Sequence, residues 1–374
     1  MNSAEHLEWE TLNCDDFPEE KLNLIDDFFN TEFPEVFGES KISKILKWKI
    51  SNDNPEGTGF LTIAKWNGKV IGLASATKRK ISIGNTEYLA VETGDTFTAN
   101  QFRKSGRCRS PLKFKNDASR SLNTEYLAKS VFGRTLYETI ERAKDSGIEI
   151  FFGFPNQLSS KAYRKRFGFE NLNESKMFSF YWFGAKTESK LKCLAAMQCL
   201  ITSIILYFQK IIKTRYFQEI NFEETKEKIK LFQLQNDSSI VKNDNYLDYR
   251  YFKHPTNKYK FLELKNKNNF TTNIIVYKII ENKNRLQIVD NFYNESKKND
   301  LLLACLYIYK KNYKNIRLQT SWIVAQKNKP IRNFLCGVLW RNNVPPIFYA
   351  ANPLLHEEIR NKLIFTNLAD SDNG

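Results

Sequence analysis

The sequence predicts an α+β (α/β) protein of two domains, each with a mixed, mostly antiparallel twisted sheet flanked by helices. The length of 374 residues exceeds that of one common domain. Hydrophobic residues make up 41% of the chain and aromatic residues 14%, and such a composition excludes a disordered chain. The predicted elements run from helices through an antiparallel meander to a strand, a helix, a strand and a helix, and a similar series starts again in the second half.

The first half begins with two short predicted helices, at 21–29 and 41–48. Two strands follow, at 60–66 and 70–76, and Asn67-Gly68 joins them. This dipeptide is the strongest short hairpin signal, because both residues tolerate positive φ. The sequence therefore predicts an antiparallel meander after the opening helices.

A longer helix is predicted between Ser130 and Gly147, after a third strand at 87–93. Ser130 can cap the helix and Gly147 can end it. One face is apolar and carries Phe132, Leu136, Ile140 and Ala143. The first amides of a helix lack partners within the helix and carry the positive end of its dipole. We therefore expect this N-terminus to hold an anion such as a pyrophosphate.

The most informative stretch is 148–156, Ile-Glu-Ile-Phe-Phe-Gly-Phe-Pro-Asn, which predicts a strand that breaks at Pro155-Asn156. A polar helix with Ser159, Ser160 and Tyr163 follows and ends at Gly168-Phe169. This pattern resembles the second half of the acyl-CoA-binding core of the GNAT acetyltransferase superfamily. More narrowly, it resembles GNAT-like proteins encoded among cell-surface polysaccharide genes.

The resemblance implies an N-acetyltransferase that uses acetyl-CoA, or another acyl-CoA, and transfers the acyl group to an amine. In that context the acceptor is expected to be an amino sugar. A carboxylate would deprotonate the amine, and a backbone N–H would support the oxyanion. Glu92 and Asp95 are the candidate bases, and Tyr163 is the candidate proton donor to the thiolate. The alternatives remain open: the two carboxylates as surface or turn residues, and the tyrosine as a core residue.

The resemblance also implies a set of cofactor-binding residues. They are Thr96, Phe97, Thr98, Lys129, Ser130, Val131, Phe132, Gly133, Arg134, Asn156, Ser159 and Tyr163. The sequence departs from the family here, because an insertion at 107–123 interrupts the usual R/Q-x-x-G-x-G/A loop. Either Ala128-Lys129-Ser130 replaces that loop, or 103–106 forms it. A third alternative is that the insertion is a solvated loop and CoA no longer binds. Asn156 is also expected to act as a turn residue.

The second half contains Asn245-Tyr-Leu-Asp-Tyr-Arg-Tyr251 followed by His254-Pro255, which resembles the opening of second GNAT-like modules in tandem proteins. Its connection at 291–299 has no glycine, so we expect a degenerate repeat that walls or supplies the acceptor site. Arg250 and His254 are candidate contacts there, with packing and helix capping as the alternative. The predicted domains are therefore 1–185 and 221–374.

The predicted linker, 186–220, is helical and contains an apolar run at 193–208. Sixteen residues are short for a span of about twenty. A buried linker helix is one interpretation. The other is a helix that lies on a membrane, anchored by Lys192, Lys210, Lys213 and Arg215.

The net charge of +15 favours an anionic partner such as the phosphates of CoA. The sequence has no compact basic motif typical of nucleic-acid-binding proteins, so nucleic acid is not favoured. The six cysteines are scattered without a C-x-x-C pair, which predicts reduced thiols and a cytoplasmic location. With three histidines and no paired Cys/His spacing, no metal site is predicted. Twelve of the fifteen glycines lie before residue 180. We therefore expect the chemistry in the first domain, since close approach to a ligand needs residues without Cβ.

Two other functions fit the same pattern. One is a non-catalytic protein that kept the GNAT fold for binding or as a scaffold. The other is an aminoacyl-tRNA-dependent transferase of the FemAB type, which also pairs two GNAT-like domains. The oligomeric state is not predicted.

Overall fold

A computed structural model describes residues 7–13, 18–34, 42–84, 86–103, 130–172, 176–212, 215–233, 240–293, 298–325, 337–342 and 345–362. The chain divides into two compact units. The first comprises Met1–Asn171 and Pro346–Asn361, and the second comprises Leu172–Pro345 and Lys362–Gly374. The predicted domains were two continuous segments, whereas each unit is formed by two separate segments of the chain. The segment around 350 belongs to the first unit, and the strand after Leu172 belongs to the second.

The helices of at least eight residues are α1 (Glu19–Glu32), α2 (Ile42–Ile50), α3 (Val131–Asp145), α4 (Gln157–Phe167), α5 (Lys192–Ile212), α6 (Phe222–Gln233), α7 (Lys298–Asn312) and α8 (Pro353–Lys362). The strands are β1 (Leu7–Asn13), β2 (Phe60–Trp66), β3 (Lys69–Ile83), β4 (Thr86–Thr98), β5 (Ile150–Gly153), β6 (Glu170–Asn171), β7 (Lys176–Phe183), β8 (Arg215–Ile220), β9 (Tyr259–Asn266), β10 (Thr271–Ile280), β11 (Arg285–Tyr293), β12 (Leu318–Ala325), β13 (Val338–Asn342) and β14 (Ile347–Ala350). A short helical segment, in two parts, covers Asp244–Leu247 and Asp248–Phe252.

The first unit contains a seven-stranded sheet in the order β1-β2-β3-β4-β5-β14-β6. All neighbours are antiparallel except β4 and β5, which are parallel. Alternate residues of a strand point to opposite faces of the sheet, and both faces are covered. Leu61 belongs to the core formed with α1 and α2, and its neighbour Phe60 belongs to the core formed with α3 and α4.

The predicted hairpin at Asn67-Gly68 is confirmed. Both residues have positive φ, 49° and 78°, as expected for a turn that matches the twist of the two strands. The strands after this turn are longer than predicted, since β3 continues to Ile83. This extension carries the charged residues Lys78 to Lys80. Arg79 is only 1% exposed, and its charge faces a carboxylate within the sheet.

The second unit repeats this arrangement in a sheet of order β13-β7-β12-β11-β10-β9-β8. Its parallel pair is β11 and β12, and the other neighbours are antiparallel. One face packs against α5 and α7, and the other packs against α6 and the segment around Leu247. The second parallel pair confirms the predicted repeat of the fold.

Several strands were absent from the sequence prediction, and β1 and β8 are two of them. Each lies at an edge of its sheet, and β8 falls within the stretch predicted as linker. An edge strand has one neighbour, so a short segment of mixed polarity can form it with little of the apolar alternation that identifies a strand in a sequence.

Candidate functional site

The parallel strands of the first unit separate after a short pairing. Ala90 to Glu92 pair with Ile150 to Phe152, and the Thr93 hydroxyl donates to the Phe152 carbonyl oxygen at 3.1 Å. Beyond this point Pro155 has no backbone N–H, so the ladder cannot continue along β5. Within the described part of the chain, β4 from Gly94 to Thr98 is therefore left with β3 as its one strand neighbour.

The separation coincides with a β-bulge in β4. Leu73 pairs with Phe97 and Ser75 pairs with Gly94, so Asp95 and Thr96 together oppose one residue of β3. Asp95 has a φ of 43°, a left-handed conformation in which aspartate is one of the few tolerated residues. A bulge changes the direction of the backbone groups that follow it and is frequent beside active sites.

The strand is also open at this bulge. A Cβ built on Gly94 would have no heavy atom within 4 Å, whereas one built on Gly153 would lie 2.8 Å from the Thr93 carbonyl oxygen. β4 and β5 are thus in close contact at Gly153, and the space opens one residue further along β4. The edge of β4 at 94–98 is consequently not covered by β5.

The N-terminus of α3 lies beside the far end of this edge. A Cβ on Gly72, which pairs with Thr98, would lie 2.8 Å from the Val131 side chain. Ser130 caps the helix, since its Oγ accepts a hydrogen bond from the Gly133 N–H at 3.0 Å. The predicted capping role of Ser130 is confirmed, and the first turn of α3 lies beside the end of β4.

One arginine beside this helix N-terminus was not predicted from the sequence. Arg166, in the last turn of α4, donates from Nη1 to Ser130 Oγ at 3.0 Å. Its positive charge adds to the dipole at the start of α3, and both favour an anion. The basic run Arg164-Lys165-Arg166 was the one sign in the sequence that pointed to this arginine. Such runs are common at helix C-termini, because the helix dipole favours cations there.

Lys129 and Arg134 were also predicted to bind the cofactor. Lys129 and the insertion at 107–123 lie outside the described residues, so their roles stay predictions. Arg134 is paired along its own helix with Glu138, at 2.5 Å between Nε and Oε1, and its guanidinium lies over the Trp9 ring. In the structure its side chain is therefore engaged on the outer surface of α3.

The two candidate bases are both held in buried ion pairs. The Asp95 carboxylate accepts hydrogen bonds from Lys49 Nζ at 2.7 Å and from Ser75 Oγ at 3.0 Å. The Glu92 carboxylate lies 3.7 Å from the Arg79 guanidinium, and the Glu92 side chain is 3% exposed. Asp95 thus ties the bulge of β4 to α2 and to β3, a structural role that the sequence did not indicate because Lys49 is distant in the chain.

Tyr163 has one side in the core and its hydroxyl at the bulge. Its ring packs edge-on against Phe169 and Phe132, with centroids 5.0 and 6.4 Å away. Its hydroxyl lies 3.4 Å from Thr96 Oγ1. Burial raises the pKa of this hydroxyl above its usual value, because the phenolate would be poorly solvated. The ring of Tyr163 therefore lies in the core and its hydroxyl lies beside the bulge. Its role as a proton donor stays a prediction.

The start of α4 is a capped turn. Asn156 Oδ1 accepts hydrogen bonds from the N–H groups of Leu158 and Ser159, at 3.0 and 2.9 Å. Ser159 Oγ also donates to Asn156 Oδ1, at 3.1 Å. The expectation that Asn156 is a turn residue is confirmed. Phe97 has its ring packed against Phe29, with centroids 4.8 Å apart, at the core formed with α1 and α2.

The second unit shows the same separation with different side chains. β11 pairs with β12 from Arg285 to Ile288, and the register shifts beside Val289. The next residue, Asp290, accepts from Lys242 Nζ at 2.9 Å and from the Tyr251 hydroxyl at 2.5 Å. Burial and this carboxylate hold the pKa of Tyr251 well above its usual value. These groups are packed around the split, and residues 294–297 of the following connection lie outside the described ranges.

The candidate contacts of the second unit are structural in this conformation. Arg250 is fully buried. His254 Nδ1 accepts from the N–H groups of Thr256 and Asn257, at 3.2 and 3.1 Å, and so caps a turn. In the described ranges, no group of three or more His, Cys, Asp or Glu side chains is placed to hold a metal ion.

Comparison with sequences of known proteins gives no match to a family model and no significant match to a curated protein. Comparison of structures does give matches. A conserved protein of Enterococcus faecalis V583, described as a probable N-acyltransferase, matches with a TM-score of 0.56 at 10% identity, over 92% of this chain and 73% of that one. A tandem GNAT protein from the clavulanic acid biosynthesis pathway matches with a TM-score of 0.55 at 9% identity, over 93% and 99%.

Saccharomyces cerevisiae N-myristoyltransferase, in a structure with bound myristoyl-CoA, matches with a TM-score of 0.53 at 11% identity, over 92% of this chain and 82% of that one. At such low identities the matches establish the fold and leave the substrates open. Together with the two sheets, each with one separating parallel pair, they show that this chain has the tandem GNAT fold.

Proposed function

We propose that the first unit is an acyl-CoA-dependent N-acyltransferase, with acetyl-CoA as the expected donor. The observation that carries this proposal is the separation of β4 from β5 at a left-handed bulge, between the N-terminus of α3 and the Tyr163 hydroxyl. The names of the structural relatives, a probable N-acyltransferase and an N-myristoyltransferase with bound myristoyl-CoA, support acyl transfer to nitrogen.

The described residues fit the chemistry of CoA. The start of α3 and the Arg166 guanidinium offer backbone N–H groups and a positive charge to a pyrophosphate. The open edge of β4 at 94–98 offers backbone donors and acceptors to the amide groups of a pantetheine arm, much as a neighbouring strand would. Acyl-CoA supplies an activated acyl group as a thioester.

Three groups of the chain have assigned roles in the proposed reaction. A backbone N–H of the bulge supports the developing oxyanion. Tyr163, whose hydroxyl is protonated at neutral pH, donates its proton to the departing thiolate. Asp95, whose side chain is 13% exposed against 3% for Glu92, accepts the proton of the amine.

The acceptor in this proposal is an amine, and an amino sugar used in a cell-surface polysaccharide is the expected class. That choice rests on the sequence resemblance around 148–169. The second unit has no assigned part in binding the donor, because its own split is occupied by Lys242, Tyr251 and Asp290. The reaction is expected in the cytoplasm, where the donor is available.

A second candidate is a GNAT-fold protein that binds acyl-CoA or a glycan without catalysis. The observation in its favour is that both candidate bases are neutralised by buried cations, Lys49 and Arg79. A carboxylate so paired is a weaker proton acceptor than a free one. Turnover with an amine acceptor distinguishes the two functions.

We predict that Arg166→Glu weakens acetyl-CoA binding about tenfold or more, since it replaces an attractive charge at the pyrophosphate with a repulsive one. Isothermal titration calorimetry measures the affinity. Arg164→Glu is the matched control, because it makes the same charge change on the exposed side of α4. Equal affinities of the two variants would contradict the phosphate site, and absence of binding by the unmodified protein would contradict the proposed donor.

We predict that Tyr163→Phe lowers kcat about a hundredfold while the KM for acetyl-CoA changes little, because the variant keeps the ring and loses the proton donor. Thiol release from acetyl-CoA, measured with a panel of amino sugars and other amines, gives both constants. Tyr137→Phe, on α3, serves as the control. Unchanged turnover in Tyr163→Phe would assign this tyrosine to the core alone.

We predict that Lys49→Met lowers the free energy of unfolding by about 2–4 kcal/mol, because it leaves the Asp95 carboxylate without its buried cation. The double variant Lys49→Met/Asp95→Asn should recover most of that loss, since asparagine is neutral and tolerates positive φ. Urea denaturation measures both. If Asp95 is the base, the double variant stays inactive although it is stable, and a stable variant with normal turnover would remove Asp95 from the mechanism.

A further inference from the structure

The long helix α5 has two unlike faces. One face packs on the second unit's core: Ala195, Gln198 and Thr202 are buried, and the side-chain amide of Gln198 accepts from the Phe183 N–H at 2.8 Å and donates to the Tyr181 carbonyl oxygen at 3.3 Å. The region Ser189–Ile211 is long and apolar enough to cross a membrane by length and composition. These contacts instead hold the helix along the surface of the unit.

The other face carries an apolar stripe. Six large hydrophobic side chains there are 48% to 63% exposed: Met197, Leu200, Ile204, Tyr207, Phe208 and Ile211. They make up half of the exposed large hydrophobic side chains in the described ranges. Their spacing places them on one side of a helix of 3.6 residues per turn. A contiguous apolar stripe of this length indicates an interaction surface.

A basic edge runs along the same stripe. Lys192 and Lys210 are eighteen residues apart, which is five helical turns, so they lie on one side of α5. Between them Lys310 of α7 reaches the helix and donates to Ser203 Oγ at 2.7 Å. The sequence of α5 contains two lysines and no acidic residue. The stripe is therefore bordered by positive charge along its length.

We propose that the stripe of α5 binds the surface of a membrane that contains anionic phospholipids, with the helix parallel to the membrane plane. The apolar side chains enter the boundary between headgroups and acyl chains, the rings of Tyr207 and Phe208 favour that boundary, and the lysine edge meets lipid phosphates. Charge complementarity selects this partner. A second copy of the chain would bring to the stripe the same lysine edge and no carboxylate from α5.

The test is flotation of the full chain with vesicles of phosphatidylcholine, with and without phosphatidylglycerol, in the absence of CoA. We expect binding to the anionic vesicles that weakens as salt increases. Leu200→Glu/Ile204→Glu should weaken it about tenfold or more, and so should Lys192→Glu/Lys210→Glu. Leu354→Glu, at a side chain of α8 that is 80% exposed, should bind as the unmodified protein does.

Thermal unfolding of every variant checks that the exposed substitutions leave the fold intact. Absence of binding to anionic vesicles would overturn the proposal, and so would equal binding by the stripe variant. Sedimentation velocity gives the competing outcome. A dimer that Leu200→Glu/Ile204→Glu dissociates, without vesicle binding by the unmodified protein, would assign the stripe to a second copy of the chain.

Discussion

The bulge at Asp95 is the feature on which the proposed site depends. Its left-handed backbone and the missing N–H of Pro155 together end the pairing of β4 with β5. The buried contact with Lys49 fixes the bulge, because a carboxylate at this depth needs a nearby cation. With the two strands held apart, the edge of β4 at 94–98 has no neighbour from β5. The N-terminus of α3, with Arg166 and Tyr163 of α4, lies at this edge.

The two units use one architecture in two ways. In the first, the edge of β4 is open at Gly94 and ends beside a capped helix and Arg166. In the second, Lys242, Asp290 and Tyr251 are hydrogen bonded together beside the equivalent bulge. Such a packed, charged network stabilises the strand ends and occupies space that a ligand would need. The asymmetry supports a binding role for the first unit and a supporting role for the second.

Much of the fold was accessible from the sequence, because local signals specify it. Asn67-Gly68 formed the predicted hairpin, Ser130 capped its helix, and Asn156 formed the turn before α4. The site was less accessible, since its decisive contacts join residues far apart in the chain. Nothing local to Asp95 reveals Lys49, and nothing local to Ser130 reveals Arg166. The edge strand β8 was missed because it carries too little apolar alternation.

Hydrogen exchange with and without acetyl-CoA tests the central claim most directly, because it reports which backbone amides a ligand covers. The account predicts slower exchange at 94–98 of β4 and in the first turn of α3, with β11 and α7 of the second unit unchanged. Protection confined to the second unit, or no protection at saturating acetyl-CoA, would contradict the account.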